Sequence, residues 1–153
     1  MEHTPHIALE DFWPYQAVVL ADQISRHTLS IVRGETDLNL SQWRVLAAVA
    51  EKPGRTAAEV TAITPMDKTI VSRAVRSLIS LGLITKISDN SDKRRSSLSA
   101  TSPGKAIYGK VAKRLNADLI DSNNGAVSPK AFTQMLKAFS QQMDSIATSA
   151  KSD

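Results

Sequence analysis

The stretch RTAAEVTAITPMDKTIVSRAVRSLISLGLITKISDNSDKRRSSLSATSPGK, residues 55–105, decides the fold. Thr56-Ala57-Ala58-Glu59 is a capping box. The Thr hydroxyl and the Glu carboxylate three residues on each satisfy an orphan amide, so a helix opens at Ala57. Thr64-Pro65-Met66-Asp67 repeats the signal. Thr reads as the cap, Pro takes the first helical position where its missing N–H costs nothing, and Asp sits near the positive helix end. The second helix is expected to reach about Leu81. Gly82 can take the left-handed conformation that closes it, and Leu83 can fold back onto its last turn.

At about 100° per residue, Val71, Ala74, Val75 and Leu78 fall within one arc of this second helix, while Thr69, Ser72, Arg73 and Arg76 fall roughly opposite. One face is core, and the other holds two arginines and no acid. A surface helix usually mixes both signs of charge, which stabilises it locally and keeps it soluble. Hydroxyls and guanidinium groups without carboxylates suit phosphates and base edges. Further on, Ser88-Asp89-Asn90-Ser91-Asp92-Lys93-Arg94-Arg95 is a run of turn formers leading into three consecutive cations. In Ser96-Ser97-Leu98-Ser99-Ala100-Thr101 apolar and small polar residues alternate, as in a half-buried strand. The expectation is a β-hairpin with a basic tip. Helix, turn, helix and hairpin make a winged helix-turn-helix whose second helix enters a major groove.

Residues 41–104 resemble the MarR family of bacterial transcriptional regulators. Ser41-Gln42-Trp43-Arg44-Val45-Leu46 is similar to the start of the family's second helix, and Met66-Asp67-Lys68-Thr69-Ile70-Val71-Ser72-Arg73-Ala74-Val75 to its recognition helix. Asp92-Lys93-Arg94 resembles its Asp-x-Arg wing signature, and the likeness continues to Thr101 and Gly104. Ala100 departs from the pattern, which favours a larger aliphatic residue there. The resemblance implies a homodimer, and it implies that Asp92 supports the wing by pairing with Arg94.

Charge distribution points the same way. Residues 55–105 carry nine Lys or Arg against four Asp or Glu, a balance of +5 within a chain whose net charge is +4. The entire excess lies in the winged segment, as an electrostatic footprint for nucleic acid would. The 153 residues, 42% of them hydrophobic, suffice for one domain with a real core. Cysteine is absent, which excludes disulfides, thiolate metal sites and a cysteine redox switch. No apolar run approaches the ~18 residues of a membrane span, and no basic-then-apolar leader opens the chain, so a cytoplasmic location without a membrane partner is expected.

Outside the winged segment, residues 1–10 lack periodicity and are expected to form an extended arm. Asp11 can cap a helix that tolerates Pro14 in its first turn, with an apolar or small stripe of Ala17, Leu20, Ala21, Ile24, Thr28 and Ile31, ended by Gly34. Ser41 is expected to cap the next helix, with Leu40 stapling against Val45 and Lys52-Pro53-Gly54 as its stop. Ser102-Pro103 opens a longer helix bearing Ile107, Val111, Leu115 and Leu119, broken by Asn123-Asn124-Gly125. Ser128-Pro129 opens a helix with Phe132, Met135, Leu136, Phe139, Met143 and Ile146 in one stripe. The fold class expected is mainly α with a small β wing. Residues 1–153 are expected to form one domain: a winged helix-turn-helix at 41–101, with N- and C-terminal dimerisation helices at 11–33 and 103–148. An intertwined homodimer would bury the outer stripes by isologous pairing. Packing of the same stripes inside a monomer stays open as the alternative.

Arg73 and Arg76 are the candidates for reading bases in the major groove, since Arg pairs bidentately with guanine. Thr69 and Ser72 can donate to phosphates or touch thymine methyls, and Lys68 is assigned to the backbone. From the wing, Arg94 would enter a minor groove, where a narrow A·T tract concentrates negative potential, and Lys93 and Arg95 would contact phosphates. A dimer would present two reading heads, so the double-stranded DNA target should be a pseudo-palindrome. The family resemblance implies a response to small aromatic or phenolic anions. Candidates for that pocket are Phe12, Trp13, Tyr15, Arg26, His27, Trp43 and Arg44, an aromatic cluster with cations beside it. No cofactor is expected. Catalysis finds little support: no glycine-rich phosphate loop is present, and His3, His6 and His27 show no metal-ligand spacing with acids. The other reading is a winged module for protein contact without sequence-specific DNA binding, but the polar, cationic helix face argues against it.

Overall fold

Where each helix begins is set by side chains that satisfy orphan amides. In the computed structural model, which describes residues 5–88, 91 and 95–151, Thr56 and Glu59 form the reciprocal box expected of them. Thr56 Oγ1 accepts from Glu59 N at 3.2 Å, and Glu59 Oε2 accepts from Thr56 N at 2.9 Å. This opens α3, Ala57–Ile63. Before it come α1, Trp13–Glu35, and α2, Leu40–Glu51; after it comes α4, Lys68–Ser80. The hairpin strands β1, Ile84–Ser88, and β2, Ser96–Ala100, follow. Next are α5, Ser102–Asn116, a π-helical turn over Ala117–Asp121, and α6, Pro129–Ser149. The fold class is therefore as expected, mainly α with one small antiparallel sheet.

Several caps fall on neighbours of the residues expected. The cap of α2 is Asn39, not Ser41, because Asn39 with Gln42 completes a two-way box that places Ser41 inside the first turn. At α4, Thr64 and Pro65 stay in the turn. The Asp67 carboxylate accepts from Ile70 N at 2.8 Å and takes the cap, adding negative charge at the positive helix end. Thr64 Oγ1 instead donates to Val60 O at 2.8 Å at the end of α3. Asp11 does not cap α1: Phe12 holds that position without a side-chain bond, and Pro14 lies in the first turn. Ahead of α1, the expected extended arm includes a turn, with Asp11 N donating to Ala8 O and Gln16 Nε2 to Leu9 O. Gly34 continues α1 rather than ending it, and Thr36 Oγ1 makes the stop by donating to Val32 O and accepting from Leu38 N.

The hairpin register pairs Ile84 with Ala100 and Ser88 with Ser96. Leu98 faces inward and is fully buried. Gly54 N donates to Leu98 O and Leu98 N to Arg55 O, so the segment before α3 flanks β2 on the side away from β1. After α4, Gly82 adopts φ +70° and Leu83 N donates to Leu78 O, a left-handed closure with the chain folded back as expected. The hairpin is then tied to the next helix by Thr101. Its amide donates to Leu83 O, its hydroxyl donates to Gly82 O at 2.7 Å, and that oxygen accepts from Gly104 N. Thr101, not Ser102, is thus the side chain that starts α5.

Residues Met1–Arg114 form one compact unit and Leu115–Asp153 a second. The core of the first joins Val32 of α1, Val45, Leu46 and Val49 of α2, Val60 of α3, Val71 and Leu78 of α4, Ile84, Leu98, and Val111 of α5. In the second unit α6 starts as expected, with Ser128 Oγ accepting from Ala131 N. It buries no residue: Met135, Leu136, Phe139, Met143 and Ile146 are all exposed. In α1 the stripe divides, with Ile31 buried while Leu20 and Ile24 are exposed; Val32, outside the expected stripe, is also buried. Among the described residues no helix is long and apolar enough to cross a membrane.

Candidate nucleic-acid interface

α4 is placed by its apolar side. Val71, Ala74, Val75 and Leu78 are buried against the core, and Met66, also buried, anchors the turn from α3. Burying that arc leaves the opposite one outside. Lys68, Thr69, Arg73 and Arg76 are exposed, and Ser72 is half-buried. α4 contains no acid, and among the described residues neither Arg73 nor Arg76 makes an ion pair. Among the described residues, Arg26 pairs with Asp22 on α1 and Arg55 with Glu51 at the end of α2. Two unneutralised guanidinium groups on a rigid, capped rod form a donor array for a polyanion with planar acceptors.

Beside α4 a cleft of about 610 Å³ lies between the start of α3, the lower half of α4 and the hairpin strands. Lys68, Lys86 and Arg95 line it, with Glu59 as its one acid. Glu59 already spends an oxygen on the α3 cap. Arg95 is exposed at the base of the hairpin tip and also lines a neighbouring hollow with Thr56, Ile87, Ser88 and Ser97. The expected tip residues Asp92, Lys93 and Arg94 lie outside the described residues. Lys86 was not among the residues singled out from the sequence. Its signal was available, since it is a lone cation on a strand that leads into a basic tip.

A second groove, about 380 Å³, runs along the other flank of α4 and is lined by Asn39, Ser41, Gln42, Ile70, Arg73, Ala74 and Ser77. Here the start of α2 meets α4, because Gln42 Nε2 donates to Ser77 Oγ at 2.6 Å.

The residues considered for a small-molecule pocket have varied surroundings. Phe12, Trp13 and Tyr15 are exposed at the start of α1. Arg26 pairs with Asp22 at 3.0 Å, and His27 is half-buried. Trp43 is buried and stacks on Tyr108, with ring centroids 5.8 Å apart and planes at 17°. Arg44 Nη2 donates to Ser25 Oγ at 3.2 Å, tying α2 to α1 next to Arg26.

A capped helix-turn-helix with an exposed cationic second helix and an adjoining antiparallel hairpin defines a winged helix-turn-helix protein. Residues 36–95 match the MarR family model. It is 30% identical over 74 residues to the uncharacterized HTH-type transcriptional regulator YybA of Bacillus subtilis (strain 168), covering 48% of this chain and 49% of that protein. The match thus spans about half the length of that relative. Among solved structures, a MarR/EmrR family transcriptional regulator from Acinetobacter sp. ADP1 superposes with a TM-score of 0.77 at 19% identity, covering 91% of this chain and 99% of that one. CouR from Rhodococcus jostii RHA1, bound to p-coumaroyl-CoA, gives 0.74 at 20% identity over 88% and 93% of the two chains. These likenesses establish the fold.

Proposed function

We propose that the chain is a sequence-specific, double-stranded-DNA-binding transcriptional regulator and not an enzyme. The acid-free, exposed face of α4 carries this reading. Arg73 and Arg76 pair with base edges in the major groove, and Thr69, Ser72 and Lys68 hold the adjoining backbone. Lys93, Arg94 and Arg95 extend the contact from the wing, with Asp92 steadying Arg94. Arg95 and Lys86 share the cleft with Lys68, so three cations face one acid, Glu59, between helix and wing.

The unit of binding is a homodimer. Its support is the apolar face of α6, of which nothing is buried, and, separately, the exposed Leu20 and Ile24 of α1, since exposed apolar faces mark interaction sites. Two reading heads related by a twofold axis select a pseudo-palindrome with half-site centres roughly 34 Å apart. A dimer bound across a promoter blocks polymerase, so the regulator acts as a repressor. The effector is a small aromatic or phenolic anion held near Phe12, Trp13, Tyr15, Arg26, His27, Trp43 and Arg44. CouR, a structural neighbour, is bound in its crystal structure to p-coumaroyl-CoA, an aromatic acyl thioester.

Footprinting on DNA flanking the chain's own gene, with and without a panel of aromatic acids, tests both parts. Protection of an inverted repeat, released by one of the acids, is the expected result. Uniform protection of any duplex would refute sequence-specific reading, and a footprint indifferent to every acid would refute the effector.

A further inference from the structure

We propose that Gln42 is a positioning residue: its carboxamide braces α2 against α4 through Ser77 and fixes the rotation of α4 that aims Arg73 and Arg76. This inference rests on the DNA-binding reading above.

Both ends of the Gln42 side chain are engaged. Oε1 accepts from the backbone N–H of Asn39 at 2.8 Å, and Nε2 donates to Ser77 Oγ at 2.6 Å. The first contact fixes the second. A backbone N–H only donates, so the atom facing it is the oxygen, and the amide group must then face Ser77. The orientation is locked further because Asn39 Oδ1 accepts from Gln42 N, pinning the residue's own backbone. The same amide therefore begins α2 and holds α4, 35 residues downstream.

Ser77 stands where such a brace has leverage. It lies one turn after Arg73 and next to Arg76, about 40° around the helix from Arg73 on the side towards buried Ala74. Val71, Ala74, Val75 and Leu78 hold α4 on the core, but apolar burial is non-directional and resists rolling about the helix axis weakly. A hydrogen bond at the rim resists rolling directly. With side-chain tips roughly 6 Å from the axis, a roll of about 10° displaces a guanidinium by about 1 Å. A shift of that size takes a bidentate pair out of its usual 2.7–3.2 Å range. Long-range attraction to phosphates hardly changes over the same distance, since the screening length is about 8 Å at physiological salt. Loss of the brace should therefore reduce discrimination between sequences and spare general DNA affinity.

Ser77→Ala separates the brace from the cap. It removes the acceptor of the Gln42 amide, leaves the Asn39–Gln42 box intact, and puts a better helix former into α4. The experiment measures affinity for the footprinted operator and for an unrelated duplex of equal length, thermal stability, and exchange of the Gln42 side-chain amide protons by NMR. Expected in Ser77→Ala are at least a fivefold drop in the ratio of specific to non-specific affinity, non-specific affinity unchanged within twofold, and no fall in melting temperature. Ser77→Thr, which keeps the hydroxyl, restores the ratio. Gln42→Met lowers the ratio in the wild type and not in the Ser77→Ala background. An unchanged ratio in Ser77→Ala overturns the proposal, as does an equal loss of both affinities, which would make Ser77 a phosphate contact. Gln42 amide protons exchanging as freely as in a model amide overturn it without reference to DNA. Failure of the DNA-binding reading is separately visible, because the unsubstituted chain would then show a ratio of one.

Discussion

Gly104→Ala should unfold the junction between wing and α5, although Ala is the better helix former. An ideal Cβ built on Gly104 lies 2.0 Å from Leu83 O and 3.0 Å from Leu83 C, with Leu46 Cδ1 at 3.4 Å. The obstacle is backbone, and that backbone is committed: Leu83 O accepts from Thr101 N, and Leu83 N donates to Leu78 O. No flexible side chain can swing aside, so α5 must retreat from the strand. Overpacking of this kind costs about 1–3 kcal/mol, and weakening the Thr101–Leu83 bond adds roughly 1 kcal/mol. The propensity gain of Ala over Gly offsets about 1 kcal/mol. The net expectation is a loss of about 1–3 kcal/mol, or roughly 2–12 °C in Tm for a chain of this length. Gly109→Ala is the internal control. It sits in the same helix with nothing within 4 Å of the added methyl, and should raise stability by about 0.4–1 kcal/mol. Paired thermal and urea denaturation curves measure both. If Gly104→Ala proved neutral or stabilising like Gly109→Ala, the close approach of α5 to Leu83 would be refuted.

Arg73→Ala and Arg76→Ala should each cost about 1–3 kcal/mol of discrimination at one base position, read by binding to single-base operator variants, with circular dichroism unchanged. Lys86→Ala should instead weaken binding evenly across sequences and lower the slope of log affinity against log salt by about 1. Asp67→Ala removes the carboxylate that caps α4 and should cost about 1 kcal/mol in denaturant titrations. Leu136→Asp combined with Phe139→Asp should yield monomers by sedimentation, since each charge would have to be buried where about 1.5–3 kcal/mol of apolar burial is lost. A dimer that survived both changes would show that α6 is not the pairing surface.

The order of elements was legible because each step is local. The Thr56–Glu59 box, the Ser128 cap, the Gly82 closure and the alternation around Leu98 act over a few residues, and the structure shows each of them. The same holds for α4, where the period of Val71, Ala74, Val75 and Leu78 determines which arc is buried and hence that Arg73 and Arg76 are left outside. Errors arose where two polar residues compete for one cap. Thr64 and Asp67, or Asn39 and Ser41, look alike in a list of cap formers, and the winner depends on whether a carboxylate or a reciprocal partner is within reach.

Other features were hidden for a different reason. Ser77 reads as one more small polar residue on a helix, and Lys86 as one more surface lysine, until 35 residues of chain have folded back to set Gln42 beside the first and α3 has closed a cleft over the second. Gly104 carried the family likeness, but only the path of Leu83 explains why a side chain is excluded there. Local rules of period and capping thus determined the helices, the hairpin and the outward face of α4 from the chain alone. The tertiary structure decided which side chains meet across elements, because such meetings depend on closed loops and packed surfaces that no short window of residues contains.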